Sequence, residues 1–243
     1  MNACLLVPVF NHGSTLGGVL AAVDSTGLPC LVVDDGSDPE SRAAIDELHA
    51  RLPWVSVERF AANRGRGAAL RHGYLTALAR GFSHAVQIDA DGQHCAADVP
   101  RLLAAAADAP DALILGRPLF DGSAPRARRW GRQLSRVWVH VETLSRRIAD
   151  PLCGFRCVPL ARVARILAHA PMGDRMDFDP ELTVRWVWEG WAVRNVPTRV
   201  VYPPAGRSHF RLIDDNARIT RMHARLVLGM AARATRIRPW RSE

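Results

Sequence analysis

The first half of this 243-residue chain alternates short apolar runs with amphipathic stretches, and that alternation narrows the choice of fold more than any other feature. Apolar runs that suit strands lie at residues 3–8, 31–34, 55–60, 85–89 and 112–116. Between them, stretches with helical spacing run over 14–25, 39–50, 65–80 and 97–108. Strand, crossover helix and strand in repetition predict an α/β fold with a mostly parallel sheet flanked by helices. The second half reads differently. A loop punctuated by Pro and Gly leads into an arginine-rich helix over 127–147, then a Pro/Cys/Gly turn over 151–155. Helices over 162–170 and 180–189 follow, then an apolar stretch over 192–202 expected to give one or two strands. A basic amphipathic helix over 214–236 closes the chain.

Hydrophobic residues make up 48% of the chain and charged residues 23%, the balance of a folded globular domain rather than a disordered or membrane-spanning one. The basic residues are all arginine, and the formal charge of +8 points to anionic partners, with phosphates foremost because the guanidinium fork binds them bidentately. No nucleic-acid-binding motif accompanies the charge. Five scattered cysteines without CxxC spacing fit a reducing compartment and no structural zinc. Residues 1–10 carry no basic leader, and no apolar run reaches the roughly 20 residues that span a bilayer. The expected location is therefore the cytoplasm, with any contact to the inner face of the plasma membrane peripheral. Arginines without an acidic residue from Arg218 to Arg241, interspersed with Ile219, Met222, Leu226, Leu228 and Met230, suit adsorption on anionic lipid or, equally, a helix packed on the domain.

The sharpest chemical signal is Asp89-Ala90-Asp91-Gly92-Gln93-His94, placed where a strand ends. Ligands of open α/β sheets bind at that end, and two carboxylates one residue apart, followed by an amide, offer hard oxygen donors for Mg²⁺ or Mn²⁺ carrying substrate phosphates. A solvated acidic turn is the plain alternative. Asp34-Asp35-Gly36-Ser37 ends the second strand, where carboxylates can bind ribose or base, or merely cap the next helix. Arg64, Gly65 and Arg66 open the helix after the third strand, where exposed N–H groups and guanidinium groups favour anions. The G-x-G-x-x-G of dinucleotide binding is missing after the first strand.

Taken in order, VPVFN, DDGS, NRGRGAALRHG, DADGQH and DPLCGFR resemble glycosyltransferase family 2, and within it the polyprenyl-phosphate sugar synthase, dolichyl-phosphate mannose synthase-like group. The resemblance runs to about Phe210. It implies a GT-A fold over residues 1–210, with a nucleotide-sugar-binding half (1–116), an acceptor half (117–210) and a basic helical tail (211–243). Pro8, Asn11, Asp34 and Asp35 would line the nucleotide pocket, and Asp89, Asp91 and Gln93 would hold the divalent metal. Arg117 would face the acceptor phosphate, with Arg128, Arg132 and Ser135 as companions. Asp179 or Glu181 would be the general base where one is needed, and Arg207 would close over the diphosphate. The implied activity is metal-dependent, inverting transfer of a sugar from a UDP- or GDP-sugar to a lipid-linked or other hydrophobic acceptor. Rival readings are a nucleotidyltransferase that releases pyrophosphate and a non-catalytic nucleotide-sugar-binding protein at a membrane surface.

Overall fold

In the computed structural model, which describes residues 1–120, 126–201 and 212–234, seven strands form one sheet. They are β1 (Ala3–Val9), β2 (Cys30–Asp34), β3 (Val55–Arg59), β4 (His84–Gln87), β5 (Leu113–Phe120), β6 (Arg156–Pro159) and β7 (Val193–Val200), in the order β3-β2-β1-β4-β6-β5-β7. All pairings are parallel except those of β6, which runs antiparallel to both β4 and β5. The eight helices among the described residues are α1 (Gly13–Val23), α2 (Pro39–Arg51), α3 (Arg66–Ala79), α4 (Val99–Asp108), α5 (Arg126–Thr143), α6 (Leu160–His169), α7 (Phe178–Trp188) and α8 (Leu212–Ala234).

Strand alternation divides the core into two layers. Cys4 and Leu6 of β1, with Leu31 and Val33 of β2, face α3, α6, α7 and α8. Leu5, Val7 and Val9, with Cys30 and Val32, face α1, α2 and α4. A strand buried on both faces reads as a continuous apolar run, which is why β1 and β2 stand out in the sequence.

Two expectations change, the absence of a strand after residue 155 and the end of β5, and two open ones are decided. The turn expected over 151–155 leads directly into β6, a four-residue strand that the sequence reading omits. The apolar stretch over 192–202 forms a single strand, and β5 runs four residues beyond Gly116 because β7 pairs with it as far as Phe120 opposite Val200. In α8, Met222 and Leu226 are buried in the core beside α5 and α7, as the packed alternative for this helix has it, while Leu228 stays exposed. Among the described residues, no helix is long and apolar enough to cross a membrane.

All five cysteines are free thiols. Burial pushes Cys4, Cys153 and Cys157 up to about 12 and raises Cys30 as well, whereas Cys95 is only half-buried. The thiolate is the reactive form, so at pH 8 an alkylating reagent is expected to modify Cys95 in the native protein and all five cysteines only in denaturant, as counted by intact-mass spectrometry.

Candidate active site

Parallel pairing of β1 with β4, Leu6 opposite Gln87, brings the carboxyl ends of the two strands together. The strand order reverses at this point, since β2 and β3 lie on one side of β1 and β4 on the other. Such a reversal leaves a crevice. A cavity of about 1280 Å³ fills it, lined by Pro8, Val9 and Phe10 at the end of β1, by Asp89, Asp91, Gln93 and His94 after β4, and by Gly65 and Arg66 at the start of α3.

Arg66 organises the carboxylates. Its Nη2 lies 2.5 Å from Asp89 Oδ1, and its Nη1 pairs with the carboxylate of Asp179 on α7. The other Asp89 oxygen lies 3.7 Å from His94 Nε2. Burial alone would raise the pKa of Asp89, but the positive charge of Arg66 and the adjacent His94 hold it well below the usual carboxylate range. Asp91 moves the other way. Burial and then the negative charge of Asp89 raise it, against the N–H of Gln93 donating to Oδ1 at 3.0 Å. Two neighbouring carboxylates, one of them pushed toward its neutral form by the other, suit a hard divalent cation. Among the described residues, no group of three or more His, Cys, Asp or Glu is placed to hold a metal ion. The protein would therefore supply Asp89 and Asp91, with the remaining positions left to phosphate oxygens and water, as is usual for Mg²⁺ bound with a nucleotide.

The loop before β6 permits this geometry. A Cβ on Gly154 would overlap Asp89 Oδ2 and lie 2.6 Å from Arg66 Nη2, so only glycine lets the loop pass. Arg156, fully buried, donates to the carbonyl of Cys153 from Nε (3.1 Å) and Nη2 (2.6 Å), and its Nη1 lies 3.2 Å from Asp179 Oδ1. Asp179 is thus clamped between two guanidinium groups, one on the cavity wall and one beneath it.

Further along the cavity wall, α5 contributes Arg132, Leu134, Ser135 and Trp138, and α8 contributes Ile219, Thr220, His223 and Leu228. Arg132 Nη1 lies 2.8 Å from Asp150 Oδ2. A buried pair, His223 Nδ1 and Glu142 Oε1 at 2.6 Å, joins the two helices, while Glu142 Oε2 and His223 Nε2 have no hydrogen-bond partner.

Several sequence-predicted residues sit elsewhere than the ligand roles require. Asp34 does not line the cavity. Its carboxylate, fully buried, accepts from Ser37 N at 2.9 Å and Arg59 Nε at 2.7 Å. Asp35 does reach the cavity, but its oxygens accept from Asn63 Nδ2 and from the backbone N–H groups of Arg64 and Gly65 at 2.7–2.9 Å. Burial raises its pKa and those N–H groups oppose the rise. The donors expected to greet an external anion at the start of α3 are thereby satisfied from within. Gly65 takes φ 108°, and the Arg64 guanidinium stacks over Phe60, 4.8 Å from the ring centroid. Asn11 braces the β2 loop, its side-chain oxygen accepting from Asp38 N at 2.8 Å and its backbone N–H donating to Ser37 Oγ at 3.0 Å. Glu181 is turned away from the cavity and fully buried, with Oε1 held by Arg185 and Oε2 by Arg225 at 2.6 Å. Arg117 lies exposed in mid-strand and does not line the cavity, because β5 continues past it. Arg207 and the side chain of Arg128 lie outside the described residues.

Residues the sequence reading gave no role are Arg156, His94, Glu142, Trp138 and His223. Arg156 could have been flagged as a lone charge inside the apolar run Phe155–Leu160. The Glu142–His223 pair has no local signal, since 81 residues separate its members.

A family model described as Glycosyl transferase family 2 matches residues 4–164. The chain is 32% identical over 202 residues to polyprenol monophosphomannose synthase of Mycolicibacterium smegmatis, covering 79% of this chain and 75% of that one. It is 27% identical over 216 residues to undecaprenyl-phosphate mannosyltransferase of Micrococcus luteus, covering 86% and 87%. Among solved structures, glucosyl-3-phosphoglycerate synthase of Mycobacterium tuberculosis, in complex with Mn²⁺, UDP-glucose and glycerol 3-phosphate, superposes with a TM-score of 0.63 at 18% identity, covering 94% of this chain and 79% of that one. A mannosyltransferase of Pyrobaculum calidifontis, in complex with GDP-Man and Mn²⁺, gives 0.57 at 16% identity, covering 97% and 64%. A parallel sheet carrying Asp89 and Asp91 at its switch point, and a family match over most of its length, make this chain a glycosyltransferase of the GT-A fold that belongs to glycosyl transferase family 2.

Proposed function

We propose that the chain transfers a sugar from a nucleoside diphosphate sugar to a polyprenyl phosphate, at a cytoplasmic membrane surface. One observation carries this reading: a single cavity runs from the carboxylates Asp89 and Asp91 to an apolar passage between α5 and α8 walled by Leu134, Trp138, Ile219 and Leu228. The first end suits a polar nucleotide, and the second suits a hydrocarbon tail. Two relatives named for polyprenol and undecaprenyl phosphate support the acceptor, and their mannosyl names favour GDP-mannose as donor.

Pro8, Val9 and Phe10 would pack against the nucleotide, and Arg132 and Ser135 stand where an acceptor phosphate would meet the sugar. Asp89 and Asp91 would hold a divalent cation, Mg²⁺ or Mn²⁺, which when bound would supply a Lewis acid for the charge on the departing diphosphate. An acceptor phosphate oxygen attacks the anomeric carbon from the face opposite the diphosphate. The bond to the diphosphate breaks with its electron pair leaving on oxygen, and the configuration inverts. A phosphate acceptor arrives ionised, so it needs no general base. That agrees with the two carboxylates expected to serve as one, because Asp179 is neutralised by Arg66 and Arg156, and Glu181 points away.

The test is a product assay with GDP-mannose, UDP-glucose and undecaprenyl phosphate, with Mn²⁺, with Mg²⁺ and with EDTA. Glycosyl-lipid and free nucleoside diphosphate are expected with at least one donor, lost on chelation. Pyrophosphate release, or nucleotide binding without turnover on any pair, would overturn the reading.

A further inference from the structure

Helix α8 buries Met222 and Leu226 in the core, whereas α5 leaves a whole row of large apolar side chains outside it. Trp130, Leu134, Val137 and Val141 recur at i, i+4, i+7 and i+11, which places them on one face, and Leu144 continues it just past the helix end. Their exposures are 76%, 61%, 56%, 43% and 74%. The opposite face of α5, with Ser135, Val139 and Glu142, is buried. A run of large apolar side chains left in water on one helix marks an interaction surface.

We infer that this face of α5 is the surface by which the protein lies on an anionic lipid bilayer. Charge supplies the first argument for that occupant. Arg129 and Arg136, seven residues apart, flank the apolar row along one side, and Arg146 and Arg147 stand exposed just beyond it. An apolar row edged with guanidinium groups and topped by a tryptophan has the chemistry of a helix lying in the boundary between lipid headgroups and acyl chains. Continuity supplies the second. Leu134, and Leu228 of α8 at 72% exposure, belong at once to the exposed surface and to the cavity wall, so the apolar passage opens onto this face. On the transfer reading above, on which this argument partly rests, an acceptor tail would leave the cavity there directly into hydrocarbon.

The test uses the full chain and vesicles free of acceptor lipid. Cosedimentation with phosphatidylcholine–phosphatidylglycerol vesicles is expected to be at least tenfold stronger than with phosphatidylcholine alone. The variant Trp130→Ser/Val137→Ser/Val141→Ser, none of whose positions lines the cavity, is expected to lose that binding at least tenfold with an unchanged melting temperature. Transfer to a water-soluble short-chain prenyl phosphate is expected to persist, while transfer to vesicle-borne undecaprenyl phosphate falls. Undiminished vesicle binding by the variant would overturn the inference. So would a wild-type dimer in light scattering that the variant dissolves, because the face would then be an interface between copies. Vesicle binding without turnover on either acceptor would sink the transfer reading and leave this surface standing.

Discussion

Alanine at Asp91 is expected to lower sugar transfer by roughly a hundredfold to a thousandfold while leaving the protein folded, the range seen when one preorganised charge-stabilising group is removed. Asp91 enters no ion pair among the described residues, and its carboxylate receives the N–H of Gln93 two residues on. Its neighbour Asp89 is already paired with Arg66. Removing Asp91 therefore breaks no buried pair, and it takes away a like charge from beside Asp89. The loss should fall on kcat and on the Mn²⁺ concentration needed for half-maximal rate, with the melting temperature unchanged or slightly higher. Rate against Mn²⁺ concentration, beside a thermal melt of the same sample, checks both halves. Wild-type turnover in the variant would remove the metal role from this position.

Asp179→Ala should do the reverse, striking stability before chemistry. The carboxylate neutralises Arg156, which is wholly buried, and Arg66, which is mostly so. Taking away one partner of a buried ionic cluster costs about 3–5 kcal/mol, because the remaining charge stays behind without compensation. For a domain of this size each kcal/mol shifts the melting temperature by roughly 2–4 °C, so a fall of roughly 10 °C is expected by calorimetry. Activity should drop as well, since the charge of Arg66 is then shared with no carboxylate but Asp89 among the described residues and that side chain loses its anchor on α7. Asp179→Asn separates the clamp from a proton-accepting role: it should lower stability while leaving the shape of the pH–rate profile intact. A profile that loses its acidic limb in the Asn variant would instead make Asp179 the base.

How far the sequence could be read follows from the reach of each signal. The strands and helices up to α4 were legible because a strand buried on both faces and a crossover helix each leave a local period, and the place of Asp89 and Asp91 at the cavity was legible because they directly follow such a strand. The strand β6 was not, since its four residues include an arginine and a proline and its partners lie far away in sequence. Asp34 and Asp35 looked interchangeable. Adjacent residues at a strand end point opposite ways, so one is spent on Arg59 and the Ser37 turn and the other faces the cavity. Arg117 was placed at a strand end that pairing with β7 carries three residues further. The periodicity of α8 was read correctly as amphipathic, but a period does not name the partner of the apolar face, and the domain itself is that partner.

The reversed strand β6 has a wider meaning for how such a molecule can diversify. Because it starts at the rim where its antiparallel partner β4 stops, the segment arriving from α5 is delivered beside Asp89, and Gly154 is where it passes against that carboxylate. On the transfer reading, segments around this approach can be lengthened, recharged or exchanged to suit new acceptors, provided the glycine remains, without redrawing the carboxylates that follow β4.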